Sequence, residues 1–209
     1  MTRVTEPGPA AFVLASGSAG RLRVLRGAGI EPEVVVSGVD ETTEEHLDTA
    51  TIVRVLAERK ASAVAALRPD ALVLGCDSML DLDGTAYGKP ASPEHATQMW
   101  ARLSGREGTL YTGHCLIEPR TGRRVRAVGR TVVRFGSPTE AEVAAYVASG
   151  EPMSVAGGFT IDGFAAPFIE GVDGHPSNVI GLSLPLLRRM LADLGLAITD
   201  LWRTPRGAG

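Results

Sequence analysis

The feature that most restricts this chain is an early alternation of short apolar runs with helix-period segments. Phe12–Ser16 reads as a buried strand, and a helix from about Ser18 to Gly29 follows, stopped by its glycine. Glu33–Ser37 is a β-branched strand. Thr49–Leu67 has helical periodicity, with Ile52, Val55, Leu56, Ala63 and Leu67 assigned to one apolar face, and Ala71–Cys76 is again an apolar strand. Beyond it, Ser92-Pro93-Glu94 starts a helix running to about Leu103, with Ser as cap and Pro in the first turn. Thr109–Ile117 and Arg124–Phe135 form a hairpin-like pair through Pro119–Gly122, and helices are expected at Pro138–Ala148 and Ser183–Leu194. The Gly-rich stretch between these two helices, Ala156–Gly181, is too apolar for a free linker and reads as the wall of a site. Alternation followed by a hairpin predicts an α/β fold with a mixed sheet. The 209 residues fit one domain, with 1–10 and 204–209 as flexible tails.

Charge and composition exclude several function classes. A net charge of -3 gives no general attraction to nucleic acid or anionic membrane, and 5% aromatic content argues against a single-strand-binding surface. No apolar run is long enough to span a bilayer, and Met1–Ala10 lacks the apolar segment of a signal peptide, so a cytoplasmic location is expected. The two cysteines, Cys76 and Cys115, form no CxxC and are expected as buried thiols. The basic residues are unevenly chosen: 19 are Arg and two are Lys, at 60 and 89. A position that keeps Lys in such a chain is a candidate for needing a compact ammonium. The single Asn, Asn178, raises the same question.

Four segments could carry chemistry. Leu14-Ala-Ser-Gly-Ser-Ala-Gly-Arg21 runs from a strand into a helix, where unpaired N–H groups, Ser16, Ser18 and the fork of Arg21 would suit phosphate. Taken alone it reads more readily as a capped helix after a turn, and it has neither the P-loop nor the GxGxxG pattern. Gly75-Cys-Asp77-Ser78 ends an apolar strand, so Asp77 stands where open α/β sheets bind ligands, or else caps a turn. Asp40-Glu41 follows the second strand and could meet Asp77 across the strand ends to hold Mg²⁺ or Mn²⁺; Glu44, Glu45 and Asp48 nearby support a solvated acidic loop instead. Lys60 lies about 40° from Leu56 around its helix, so it either snorkels or meets a buried anion. Lys89 sits in the stiff turn Tyr87-Gly-Lys-Pro90. The histidines at 46, 95, 114 and 175 lack zinc-ligand spacing, Ser16 lacks a GxSxG context, and Cys76 reads as strand core.

In this order the segments resemble the Maf family of nucleotide pyrophosphatases, from about Phe12 to Leu191. The family opening Leu-Ala-Ser-x-Ser-Pro-Arg-Arg matches Leu14–Arg21; Glu41, Lys60, Gly75–Ser78 and Gly88-Lys89-Pro90 match its later motifs. Leu103–Arg106, Tyr111–Gly113, Tyr146–Pro152, Ala156-Gly157 and Asn178–Leu182 follow. The resemblance implies a mixed, twisted sheet flanked by helices in a Maf and ITPase-like architecture with a central cleft. It implies hydrolysis of a nucleoside triphosphate between the α and β phosphates to a monophosphate and pyrophosphate. Asp77 would be the general base, and Glu41 with Asp77 would hold a divalent cation (Mg²⁺, Mn²⁺ or Co²⁺). Arg21, Lys60 and Lys89 would neutralise the triphosphate, with Ser16 and Ser18 bonding it. A homodimer, and a role in nucleotide clean-up or division control, are further implications; a septum-formation regulator that binds nucleotide with weak catalysis is the alternative. The departures fall on specificity. One family arginine is Gly20 here, Ser78 stands where the branches carry Thr or Gln, and the loop Phe159-Thr-Ile-Asp162-Gly163 differs from the usual Tyr-Gly-Ile-Gln-Gly. Asp162 is expected to face the base and accept from an exocyclic amine.

Overall fold

A computed structural model describes residues 11–42 and 46–203. The expected tails, and Glu44 and Glu45, lie outside the described residues. Strand β1 (Ala11–Leu14) leads into helix α1 (Ala19–Gly27), then β2 (Glu33–Val34), α2 (Thr49–Leu67), β3 (Ala71–Leu82), β4 (Thr85–Tyr87) and α3 (Pro93–Leu103). The long hairpin β5 (Glu107–Glu118) and β6 (Arg123–Phe135) precedes α4 (Glu140–Ala148), β7 (Ile169–Asp173), α5 (Pro176–Ile180) and α6 (Leu184–Asp193). These strands form one mixed sheet in the order β2-β1-β3-β5-β6-β7, with β4 paired to β3. β1 is parallel to both β2 and β3, and β3, β5, β6 and β7 run antiparallel in turn. The expected α/β fold with a mixed sheet is thus present, and among the described residues no helix is long and apolar enough to cross a membrane.

Strand alternation sorts the core onto two faces. Phe12, Leu14, Leu72 and Leu74 pack with Leu25, Leu187 and Leu191 under α1 and α6. Val13, Val73, Cys115 and Ile117 pack with Ala57, Ala61 and Val64 under α2. A third cluster gathers Leu80, Trp100, Leu110, Phe135, Tyr146 and Phe159 beneath α3 and α4. Cys76 and Cys115 are both buried free thiols, as expected, and they belong to opposite faces.

Three expectations need correcting. The buried face of α2 is Thr49, Val53, Leu56, Ala57, Lys60, Ala61 and Val64, so only Leu56 of the expected stripe is right, and Leu67 is 71% exposed. The reason is the sheet beneath. At Gly75 of β3 an added Cβ would strike the Ala57 carbonyl oxygen, and at Gly113 of β5 it would strike that of Val53. α2 lies in this glycine groove with its backbone on the sheet, so small residues rather than large ones meet it. Second, β2 stops at Val34 instead of Ser37, because β1 has turned toward α1 and offers no further partner; Val36 is 68% exposed. Third, β3 does not end at Cys76. It runs to Leu82, because β5 pairs with it from Val73 to Asp81 after its parallel pairing with β1 ends at Leu74.

Candidate active site

Asp77 therefore sits in mid-strand, three residues beyond the last β1–β3 register pair. One neighbouring strand has departed there and the sheet edge is open. Successive residues point to opposite faces, so Asp77 shares the α2 side with Gly75 while Ser78 turns toward α1. The site is assembled around this opening from both faces.

On the α2 side, the glycine groove lowers Lys60 onto the strand. Its Nζ donates to Asp77 Oδ1 at 2.6 Å and lies 2.7 Å from Glu41 Oε1. Lys60 and Asp77 are 8% and 6% exposed, so this ion pair is largely withdrawn from water. Glu41 reaches in from an exposed loop. That loop is braced: Thr42 donates its N–H and hydroxyl to Asp40, and Arg59 donates to the Thr42 carbonyl at 2.6 Å. Burial pushes the Asp77 carboxyl above its ordinary value, against the pull of Lys60 and Arg21.

On the α1 side, Ser18 caps the helix, accepting from the Arg21 N–H at 3.4 Å. Arg21 is 8% exposed. Its guanidinium donates to the Gly181 carbonyl at 2.8 Å, to Ser16 Oγ at 2.8 Å and to Ser78 Oγ at 3.2 Å. A buried polar layer backs it. Ser78 Oγ lies 2.9 Å from Thr112 Oγ1, and Thr112 donates to the Asn178 carbonyl. Beside Thr112, His114 is fully enclosed between the Thr112 carbonyl at its Nδ1 and the Ser183 N–H, which donates to its Nε2 at 2.9 Å. Nδ1 therefore carries the proton, and burial lowers the ring's pKa to about 3.

The sequence profile of the Maf-like protein family matches residues 11–194. The chain belongs to that family. Relatives named nucleoside triphosphate pyrophosphatase include one from Streptomyces coelicolor, 61% identical over 194 residues, covering 91% of this chain and 94% of the relative. One from Mycobacterium sp. (strain JLS) is 54% identical and covers 91% of this chain and 97% of its own length. One from Salinispora tropica is 50% identical, covering 93% and 88%.

In this Maf-like protein the expected residues form two clusters, with Lys89 and Asp162 each standing separately. Asp77, Glu41 and Lys60 meet at one ammonium, and Ser16, Ser18, Arg21 and Ser78 meet at one guanidinium or its helix cap. Lys89 stands apart and exposed, on a turn tied to the Gly-rich wall by the Gly157 N–H donating to the Gly88 carbonyl at 2.9 Å. Asp162 joins neither cluster and pairs with Arg23 of α1 at 2.9 Å. Its turn is held by Glu151, which accepts from the Thr160 hydroxyl at 2.6 Å and from the Phe164 N–H at 3.0 Å. Arg23, Glu151 and the buried Thr112 were not singled out by sequence reasoning. Thr112 and Glu151 did fall within the matched segments Tyr111–Gly113 and Tyr146–Pro152, but neither residue was given a role there.

His114 gives a stability test. Its folded pKa is below its ordinary value of 6.5, so the stabilisation it provides is complete above pH 6.5 and is lost as pH falls toward about 3. Urea titrations should show the advantage of the wild type over His114→Gln shrinking below pH 6.5, at about 1.4 kcal/mol per pH unit. A pH-independent difference would mean that the ring titrates in the folded protein as it does in the unfolded chain.

Proposed function

We propose that this chain hydrolyses a nucleoside triphosphate at its α–β phosphoanhydride, releasing a nucleoside monophosphate and pyrophosphate, with Asp77 as general base. The observation that carries the reading is the shared contact at Lys60. A buried carboxylate and an exposed one converge on a single ammonium, next to a guanidinium with unused donors. Clustered cations are what a triphosphate needs, and a buried carboxylate is what an attacking water needs. The relatives' shared name favours the same reaction.

In the proposed reaction the water oxygen bonds to one of the two phosphorus atoms flanking the α–β bridge. The bridging bond breaks, the bridging oxygen leaves with the other phosphorus, and Asp77 takes the water's proton. Lys60 favours the ionised form of Asp77 against the effect of burial. Arg21, Lys60 and Lys89 neutralise the phosphates, with Ser16 and Ser18 as neutral partners.

A divalent cation fits the donors present. Among the described residues no three His, Cys, Asp or Glu side chains cluster as a metal cage. Asp77 and Glu41 do supply two carboxylates about one point. Magnesium-like ions are commonly held this way, by one or two carboxylates with phosphate and water oxygens completing the shell. When bound, such an ion would neutralise phosphate charge and acidify water.

Asp162 extends the reading to selectivity. Its carboxylate, held by Arg23, is proposed to accept from an exocyclic amine of the base, favouring C or G over T or U. The cellular role proposed is removal of surplus or non-standard nucleotides.

The test is pyrophosphate release from a panel of ribo- and deoxynucleoside triphosphates with Mg²⁺, Mn²⁺ or Co²⁺. Metal-dependent release from at least one nucleotide is expected. Nucleotide binding without release under any metal would sink the enzyme reading in favour of a nucleotide-binding regulator of division.

A further inference from the structure

Arg21 is held by a chain of hydroxyls whose direction can be worked out from proton counts. Thr112 has one hydroxyl hydrogen, and it goes to the Asn178 carbonyl at 2.9 Å. Thr112 Oγ1 can therefore only accept from Ser78, 2.9 Å away, so the Ser78 hydrogen points inward. Ser78 Oγ is left as an acceptor and receives the Arg21 N–H at 3.2 Å. Of the five guanidinium N–H bonds, this contact and those to Ser16 and Gly181 engage three. Two remain for a ligand.

The base of the chain is rigid. Asn178 is 1% exposed, and its amide nitrogen donates to the Leu110 carbonyl at 3.3 Å and to Thr131 Oγ1 at 3.2 Å, fastening α5 to β5 and β6. Its Oδ1 fills the space where Gly129 has no Cβ. The same α5 segment presents the Gly181 carbonyl to Arg21. Two of the guanidinium's three supports thus trace back to one anchored turn. Thr112 itself is fully buried, so no substrate can touch it.

We propose that Thr112 is a positioning residue for substrate binding: it turns the Ser78 hydroxyl inward, and that hydroxyl aims Arg21 at the triphosphate. Without Thr112 Oγ1, the Ser78 hydrogen is free to turn toward Arg21, where two donors would face each other. The guanidinium would then lose one of its three supports. The effect falls on binding more than on the chemical step, because the hydroxyls of Thr112 and Ser78 hydrogen-bond to neither Asp77 nor Lys60.

This inference rests on the triphosphate reading, so its test includes binding without turnover. Thr112→Val, Thr112→Ser, Ser78→Ala and the Ser78→Ala/Thr112→Val double variant are compared with wild type. The readouts are kcat, KM, thermal melting, and calorimetric binding of a triphosphate with a methylene bridge between its α and β phosphorus atoms. Thr112→Val should raise KM and weaken analogue binding about tenfold with kcat within about threefold of wild type. Thr112→Ser should restore binding, and the double variant should bind no worse than Ser78→Ala. A lowered melting temperature with unchanged analogue binding overturns the inference, as does a fall in kcat at constant KM, failure of the Ser rescue, or additive effects in the double variant. If wild type binds the analogue but hydrolyses nothing, the enzyme reading has failed while the binding comparison still decides the role of Thr112. If wild type does not bind the analogue, the inference fails too.

Discussion

Replacing Asp77 with Asn should lower kcat by about 10³-fold while leaving the fold intact, which places the effect within the range typical of general-base removal. The amide has nearly the shape of the carboxylate and can still accept from Lys60, but it cannot take a proton from water. The pH profile gives a second signature. Burial raises the Asp77 pKa above 3.8, and the base must be ionised to act. In wild type, kcat/KM should therefore fall as pH drops through a value above 3.8, with the free-enzyme Asp77 defining that acidic limb. In Asp77→Asn the residual activity should lack it. Stability should fall, because the buried Lys60 ammonium keeps its charge with only Glu41 and a neutral amide beside it. Circular dichroism and thermal melting separate this from unfolding. Activity within tenfold of wild type in the Asn variant would reduce Asp77 to a counter-ion for Lys60.

Much of this arrangement was legible one residue at a time. Helix boundaries were readable where the chain writes its own caps: Ser92 accepts from the His95 N–H at 3.2 Å with Pro93 behind it. Lys60 could be flagged because lysine is rare here and its helical angle lies near the buried side. What could not be read was the meeting point. The sequence suggested two carboxylates approaching each other; it did not suggest that Asp77 and Glu41 would both contact the Lys60 ammonium. That depends on the Arg59–Thr42 brace and on the depth of α2, both of which are tertiary. Strand length failed for a similar reason. Ser78 and Asp81 look like the end of an apolar run, but β5 supplies backbone partners as far as Asp81. Asp162 was recognisable as a departure from the family loop, whereas its partner Arg23 lies 139 positions away and has no local signal.

The depth of α2 leads to the other large effect: Gly75→Ala should destabilise the protein by about 3 kcal/mol or more, at or above the upper end of the usual range for core overpacking. The new methyl would strike the Ala57 carbonyl oxygen and stand 2.6 Å from the Ala61 nitrogen and 2.8 Å from the Ala61 Cβ. Two of those atoms are helix backbone, so no rotamer change relieves the contact and Ala61→Gly should not rescue it. The helix must lift or the strand must sink. Gly27→Ala is the control, since a Cβ there meets nothing within 4 Å and alanine is the better helix former. It should be neutral or stabilising by up to about 1 kcal/mol in the same denaturant titration. Because Lys60 rides on the same helix turn, any Gly75→Ala protein that stays folded should also lose the 2.6 Å contact to Asp77. Its activity should then fall more than its folded fraction. A melting temperature within a few degrees of wild type, with full activity, would mean that α2 does not rest on the sheet at Gly75. The groove would then not be what brings the lysine to the carboxylate.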